Sequence, residues 1–186
     1  MTALDLLELS PVIAAIKDDK GLKKCLESEC QVVFILYGNV CSIAEIVSEL
    51  KNHGKYAMVH ADLIQGLAAR EISIEFLKKN TEADGIISTK AVLVRRAMEL
   101  GLIGILRTFL IDSMAVDNTH KALDNFKPDI LEVMPGLMPK IVRELRNSTD
   151  IPMISSGMIS EKKEVLDLFA AGADAVSTTK QELWFI

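Results

Sequence analysis

Aromatic residues are scarce in this chain, with one Trp, two Tyr and six Phe among 186 residues. A sequence so poor in rings offers no evident platform on which single-stranded bases would stack. Its three cysteines, Cys25, Cys30 and Cys41, are odd in number and match no zinc spacing. They read as reduced thiols of a cytoplasmic protein, with no metal site implied. Long apolar runs are also missing. The longest charge-free stretch, Gln31 to Ala44, is broken by Gly38 and Asn39 and falls short of the roughly 20 apolar residues that span a bilayer. Met1 to Glu8 has no basic segment followed by an apolar core, so neither a signal peptide nor a membrane partner is expected. Positive charge is not in excess: 21 Lys and Arg stand against 26 Asp and Glu, a net charge of -5. That balance argues against a generic polyanion binder and leaves room for a local basic patch.

What the chain does contain is a recurring alternation of apolar β-type runs and helical patterns. The runs are Pro11 to Ile16, Val32 to Tyr37, Tyr56 to His60, Gly85 to Ser88, Ile103 to Thr108 and Asp129 to Met134, followed by Met153-Ile154 and Ala175-Val176. They are continuously apolar, as strands covered on both faces must be. Eight strand–helix units in this length leave only roughly 23 residues each, below the norm for a full barrel. The expected fold is therefore α/β, a compact TIM-barrel-like (β/α)8 single domain over residues 1–186 with one or more shortened helices. Asp18 to Glu29 reads as the thinnest place. A doubly wound open sheet is the alternative, disfavoured by strand count and regular spacing.

Helix signals fill the intervals. Ser42 and Glu45 form a capping-box pattern before Ile43, Ile46, Val47 and Leu50, with Gly54 as the stop. Ser160 is placed to cap the helix that buries Val165, Leu168 and Phe169. Asp117 to Phe126 is a weaker helical segment. An internal echo supports the strand numbering: Ala83-Asp84-Gly85-Ile86-Ile87-Ser88-Thr89-Lys90 resembles Ala173-Asp174-Ala175-Val176-Ser177-Thr178-Thr179-Lys180. More loosely, Met58 to Ile64 resembles Met153 to Ile159, as if strands three and four mirrored seven and eight.

In such a barrel, function is read at the C-terminal ends of the strands, and phosphate at the loops after the last two. There the sequence places Ser156, Gly157 and Met158, then Ser177, Thr178 and Thr179. Gly lets a backbone approach an anion closely, and the neighbouring hydroxyls and N–H groups are donors. Tight βα turn chemistry is the plainer reading of the same residues. The rest of the rim brings His60, Asp62, Lys90, Arg107, Glu132 and Lys180 to the mouth. Lys90 and Arg107 suit an anionic ligand or an internal bridge to Glu132. Lys90 or Lys180 would be a Schiff-base lysine, with His60 or Glu132 moving protons, in an aldolase, isomerase or decarboxylase acting on a small phosphorylated substrate. No acid/base constellation is tight enough to demand that chemistry, and no catalytic residue, metal ligand or cofactor is assigned.

Taken in order, SPVIAAIKD, VFILYGNVCSI, MVHADLIQGL, DGIISTK, LRTFLIDSMA, DILEVMPG, PMISSGMI and GADAVSTTK resemble the glycerol uptake operon antiterminator regulatory family, from about Ser10 to Phe185. The resemblance implies a small (β/α)8-like barrel that senses sn-glycerol 3-phosphate and acts on the leader mRNA of glycerol-catabolic genes without catalysis. It also implies that His60, Asp62 and Glu132 are placed to bond the hydroxyls of that ligand. The RNA partner rests on the resemblance alone. The sequence leaves the oligomeric state open and allows a homo-oligomer.

Overall fold

The computed structural model describes residues 2–186. Eight parallel strands close into a barrel in sequence order: β1 (Val12–Ile16), β2 (Val32–Ile35), β3 (Tyr56–His60), β4 (Gly85–Ser88), β5 (Ile103–Phe109), β6 (Ile130–Met134), β7 (Met153–Ser156) and β8 (Ala175–Thr178). Closure is made by β8 on β1, with Ile13 opposite Ser177 and Ala14 opposite Thr178. Around this sheet run α2 (Asp19–Leu26), α3 (Ile43–Asn52), α4 (Glu71–Asn80), α5 (Ala91–Glu99), α6 (Ser113–Asn125), α7 (Pro139–Arg146) and α8 (Lys162–Ala170).

The uninterrupted apolar runs are explained by two different burial surfaces. Alternate residues of a strand point to opposite faces. Ile13, Ala15, Val32, Phe34, Met58, Ile87, Ile105, Ile130, Ile154 and Ala175 form the barrel interior. Their neighbours, such as Ala14, Ile16, Val33, Ile35, Val59 and Ile86, pack outward against the helices. A first helix, α1 (Ala3–Leu9), adds Leu6 and Leu7 to the interior cluster and so plugs the barrel beside the strand starts. Thr2 begins α1 with a capping box, its hydroxyl accepting from Asp5 N while Asp5 accepts from Thr2 N.

The helical layer is thin at Asp18 to Glu29, as expected, and thinner still after β8. Asp18 to Glu29 holds a true helix, short at 8 residues, whose Asp18 carboxylate accepts from Gly21 N at 2.7 Å and which buries Leu22 and Cys25. The missing helix is the last one. After β8 there is only a 3₁₀ segment, Gln181–Phe185. Trp184 fills the gap there: its ring is buried and its Nε1 donates to the Thr178 carbonyl at 2.9 Å.

Three local expectations are also corrected. Ser42 makes no cap bond; its hydroxyl accepts from Asn39 N, and Asn39 Oδ1 organises the turn by accepting from Cys41 N and Ser42 N. Ser160 does not cap α8, because the Glu164 carboxylate reaches back to take Ser160 N and Glu161 N. The segment read as weak from Asp117 is a 13-residue helix that begins at Ser113, capped by Asp112 on Ala115 N.

The internal echo is physical. Asp84, at the foot of β4, accepts from Ala57 N at 2.8 Å and binds Lys51 at 2.7 Å. Asp174, at the foot of β8, accepts from Met153 N at 2.7 Å and binds Arg146. Each carboxylate locks an N–H at the start of the preceding strand, the second of β3 and the first of β7, with a cation from the helix before that strand. The strand register slips the looser echo by one residue. Met58 faces Gly85 and Ile154 faces Ala175, so His60 matches Ser156, and Asp62 matches Met158 by continued count. A shift of one residue exchanges the two faces of a strand, which is why the sequence match misled.

Candidate ligand-binding site

At the C-terminal ends of the strands the interior changes from apolar to polar. The inward series continues from Ala15 to Lys17, from Met58 to His60, from Ile105 to Arg107, from Ile130 to Glu132, from Ile154 to Ser156 and from Ala175 to Ser177. These side chains converge because the strands that carry them are neighbours in a closed ring.

Arg107 and Glu132 face each other directly in the β5–β6 register. Arg107 Nε donates to one carboxylate oxygen at 2.7 Å and Nη2 to the other at 3.0 Å. The Ser156 hydroxyl adds a third bond to Glu132, at 2.6 Å. Glu132 is fully buried and Arg107 nearly so. The internal bridge weighed from the sequence is therefore formed, and much of the Arg107 charge is spent on Glu132.

His60 is buried, and its Nδ1 has no hydrogen-bond partner among the described residues. Burial pushes its imidazole down to about 4, and the Arg107 cation pushes in the same direction. It is neutral at physiological pH. Asp62 does not orient it. That carboxylate instead ties the β3 and β4 loops together, accepting from Ser88 Oγ, Thr89 N and Thr89 Oγ1, each at 2.8 Å. Burial would raise the Asp62 carboxyl, but the bonds from the Thr89 N–H and the Ser88 and Thr89 hydroxyls outweigh it and hold the group below its usual range. Lys90 lies 3.4 Å from the same carboxylate with its side chain 46% exposed, unlike the buried amine that Schiff-base chemistry requires.

A cavity of about 390 Å³ opens where β7, β8 and β1 end, lined by Gly157, Met158, Ser160, Ser177, Thr178, Thr179, Lys180, Lys17 and Arg107. It gathers all six of the small-residue candidates, Ser156 included. Gly157 and Met158 are consecutive residues at positive φ, 85° and 63°. For Met158 that is a disfavoured conformation, and its side chain is also 75% exposed. Strain of this kind costs about 1–3 kcal/mol and concentrates at ligand clamps.

The hydroxyls divide into committed and available groups. Ser156 serves Glu132. Thr178 Oγ1 donates to the Ile159 carbonyl at 2.8 Å and accepts from Lys180 N at 3.0 Å. Ser177 and Thr179 line the cavity without such ties. Helix dipoles offer little here. Glu164 sets a carboxylate at the start of α8, taking Ser160 N and Glu161 N just ahead of the helix, and β8 is followed by a 3₁₀ segment only. Positive charge must come from side chains. Lys180 is exposed and stands 3.5 Å from Glu182, while Lys17 has no ion-pair partner among the described residues. Lys17 escaped the sequence reading. Its signal was parity, two residues beyond inward Ala15 and four beyond inward Ile13.

Comparison with known proteins identifies the family. A family model described as glycerol-3-phosphate responsive antiterminator matches residues 12–184. The chain belongs to that family. A relative from Escherichia coli (strain K12), the uncharacterized protein YgcP, is 42% identical over 184 residues, covering 99% of this chain and 96% of its own. The glycerol uptake operon antiterminator regulatory protein of Listeria monocytogenes superposes with a TM-score of 0.90 at 32% identity, covering 93% of this chain and 94% of that one. A glycerol uptake operon antiterminator-related protein of Thermotoga maritima gives 0.85 at 29% identity, covering 95% and 98%. In this antiterminator barrel the matched region includes every strand and the whole mouth. No helix among the described residues is long and apolar enough to cross a membrane.

Proposed function

We propose that the chain is a cytoplasmic sensor of sn-glycerol 3-phosphate that binds the leader mRNA of glycerol-catabolic genes and favours the antiterminated transcript. The reading is supported above all by the cavity at the ends of β7, β8 and β1 in a barrel of the glycerol-3-phosphate responsive family. A phosphate monoester there meets the close backbone of Gly157, the donors of Ser177 and Thr179, and the ammonium groups of Lys17 and Lys180. The polyol end points toward the Arg107–Glu132 pair, whose remaining hydrogen-bonding capacity suits hydroxyl groups.

The protein acts by binding and performs no turnover. Lys90 is engaged by Asp62, Glu132 by Arg107 and Ser156, and His60 is not among the residues that line the cavity, so no free acid/base pair among the described residues addresses it. The ligand changes RNA affinity only by the difference in its own affinity for the RNA-competent and RNA-incompetent states. Filter binding of leader RNA, titrated with and without sn-glycerol 3-phosphate, tests the switch. A shift in RNA affinity is expected, and equal affinity in the two arms would refute it.

A further inference from the structure

The two halves of the barrel end their last strands, β4 and β8, in the same turn. After β4, Lys90 N donates to Ser88 Oγ at 3.0 Å; after β8, Lys180 N donates to Thr178 Oγ1 at 3.0 Å. In the first half the donors this turn presents are already satisfied by an anion of the chain itself. The Asp62 carboxylate takes Thr89 N and Thr89 Oγ1 at 2.8 Å, with Lys90 Nζ at 3.4 Å. In the second half the residue matched to Asp62 is Met158, which has no anion to offer. Thr179 and Lys180, the counterparts of Thr89 and Lys90, are exposed and line the cavity.

We infer that the barrel carries one anion-binding device twice, self-filled by Asp62 at the β3–β4 edge and open to a ligand phosphate at the β7–β8 edge. The inference deepens the effector reading above and rests on it for the identity of the ligand. In the open copy, a phosphate oxygen accepts from Thr179 N and Thr179 Oγ1 with the Lys180 ammonium alongside, as the Asp62 carboxylate does in the filled copy. Thr178 differs from Ser88 in this respect: its hydroxyl is turned to the Ile159 carbonyl and is not part of the device. The filled copy becomes a second anion site once its internal carboxylate is removed.

The experiment uses the full chain with inorganic phosphate and sn-glycerol 3-phosphate, reading affinity and stoichiometry by isothermal calorimetry. Thr179→Val is expected to weaken inorganic phosphate by about tenfold or more, the scale of one charge-assisted hydrogen bond. Asp62→Ala is expected to raise the stoichiometry for inorganic phosphate from one to two, and Asp62→Ala with Thr179→Val to return it to one. Unaltered affinity in Thr179→Val, or a stoichiometry of one in folded Asp62→Ala, overturns the inference. Should Asp62→Ala fail to fold, Thr179→Val and Lys180→Gln decide it through affinity alone. If the wild-type chain takes inorganic phosphate in this Thr179-dependent way yet ignores sn-glycerol 3-phosphate, the device stands and the effector reading falls.

Discussion

Arg107 holds Glu132 by two parallel hydrogen bonds, of 2.7 and 3.0 Å, inside a barrel whose lower layers are wholly apolar. Neither charge would be tolerated there alone. Removing one partner leaves the other buried and uncompensated, at a cost of about 3–5 kcal/mol. Arg107→Met and Glu132→Leu singly are therefore expected to lower the thermal midpoint sharply. The double substitution should recover much of the loss. A double-mutant cycle from denaturant melts measures the coupling, and simple additivity would show that the pair is not a unit.

His60 sets a pH dependence of stability. Its folded pKa of about 4 lies below the ordinary imidazole value of 6.5. Below pH 6.5 the unfolded chain binds a proton that the folded chain refuses, so stability falls as the pH drops toward 4 and is complete above 6.5. At full effect this amounts to about 3 kcal/mol. Denaturant midpoints of the wild-type chain and His60→Gln, taken between pH 4 and 7, should diverge. Parallel curves would mean that the ring is not held neutral by burial.

Leu7 lies on the plug, at the end opposite the mouth. It is fully buried in the interior cluster. Leu7→Ala should cost about 2–5 kcal/mol, the range for a core truncation that leaves a cavity. Calorimetric affinity for sn-glycerol 3-phosphate, measured well below the lowered midpoint, should be retained. Joint loss of stability and affinity would place the plug in communication with the mouth.

Gly157 and Lys17 test the cavity by different physics. A Cβ on Gly157 would lie 2.6 Å from Met134 Cε at a φ of 85°, so Gly157→Val must both move Met134 and strain the turn. Ligand affinity should fall at least about tenfold, by displacement of a turn that has to approach the phosphate closely. Lys17→Gln removes charge without altering the turn. Its signature is a weaker dependence of sn-glycerol 3-phosphate affinity on salt, since screened attraction is what it contributes. An unchanged salt slope would remove Lys17 from the site.

The strands were legible because burial on two faces writes a continuous apolar run, and each run found a strand within a residue or two at its ends. Position along the rim was legible for the same reason. Pairing was not. Asp62 finds Thr89 across 27 residues, and Ser156 finds Glu132 across 24, so their partners depend on ring closure and leave no local mark. Lys17 needed the inward parity of β1, which is visible only once one face is known to be the interior. The Ser42 and Ser160 caps failed because Asn39 and Glu164 organise the two turns instead, each by accepting from N–H groups just ahead of its helix, and a sequence pattern names only one contender.

The indole that stands in for the last helix has an optical consequence. Trp184 is the sole tryptophan of the chain, it is buried, and its Nε1–H is bonded to the carbonyl of Thr178, the residue before Thr179. Emission from the intact protein thus comes from a single dry fluorophore fastened to the end of β8. If the proposed phosphate binds at Thr179, one residue from that bond, the wavelength and yield of the light are expected to shift with occupancy of the mouth, and a fluorescence titration reads it.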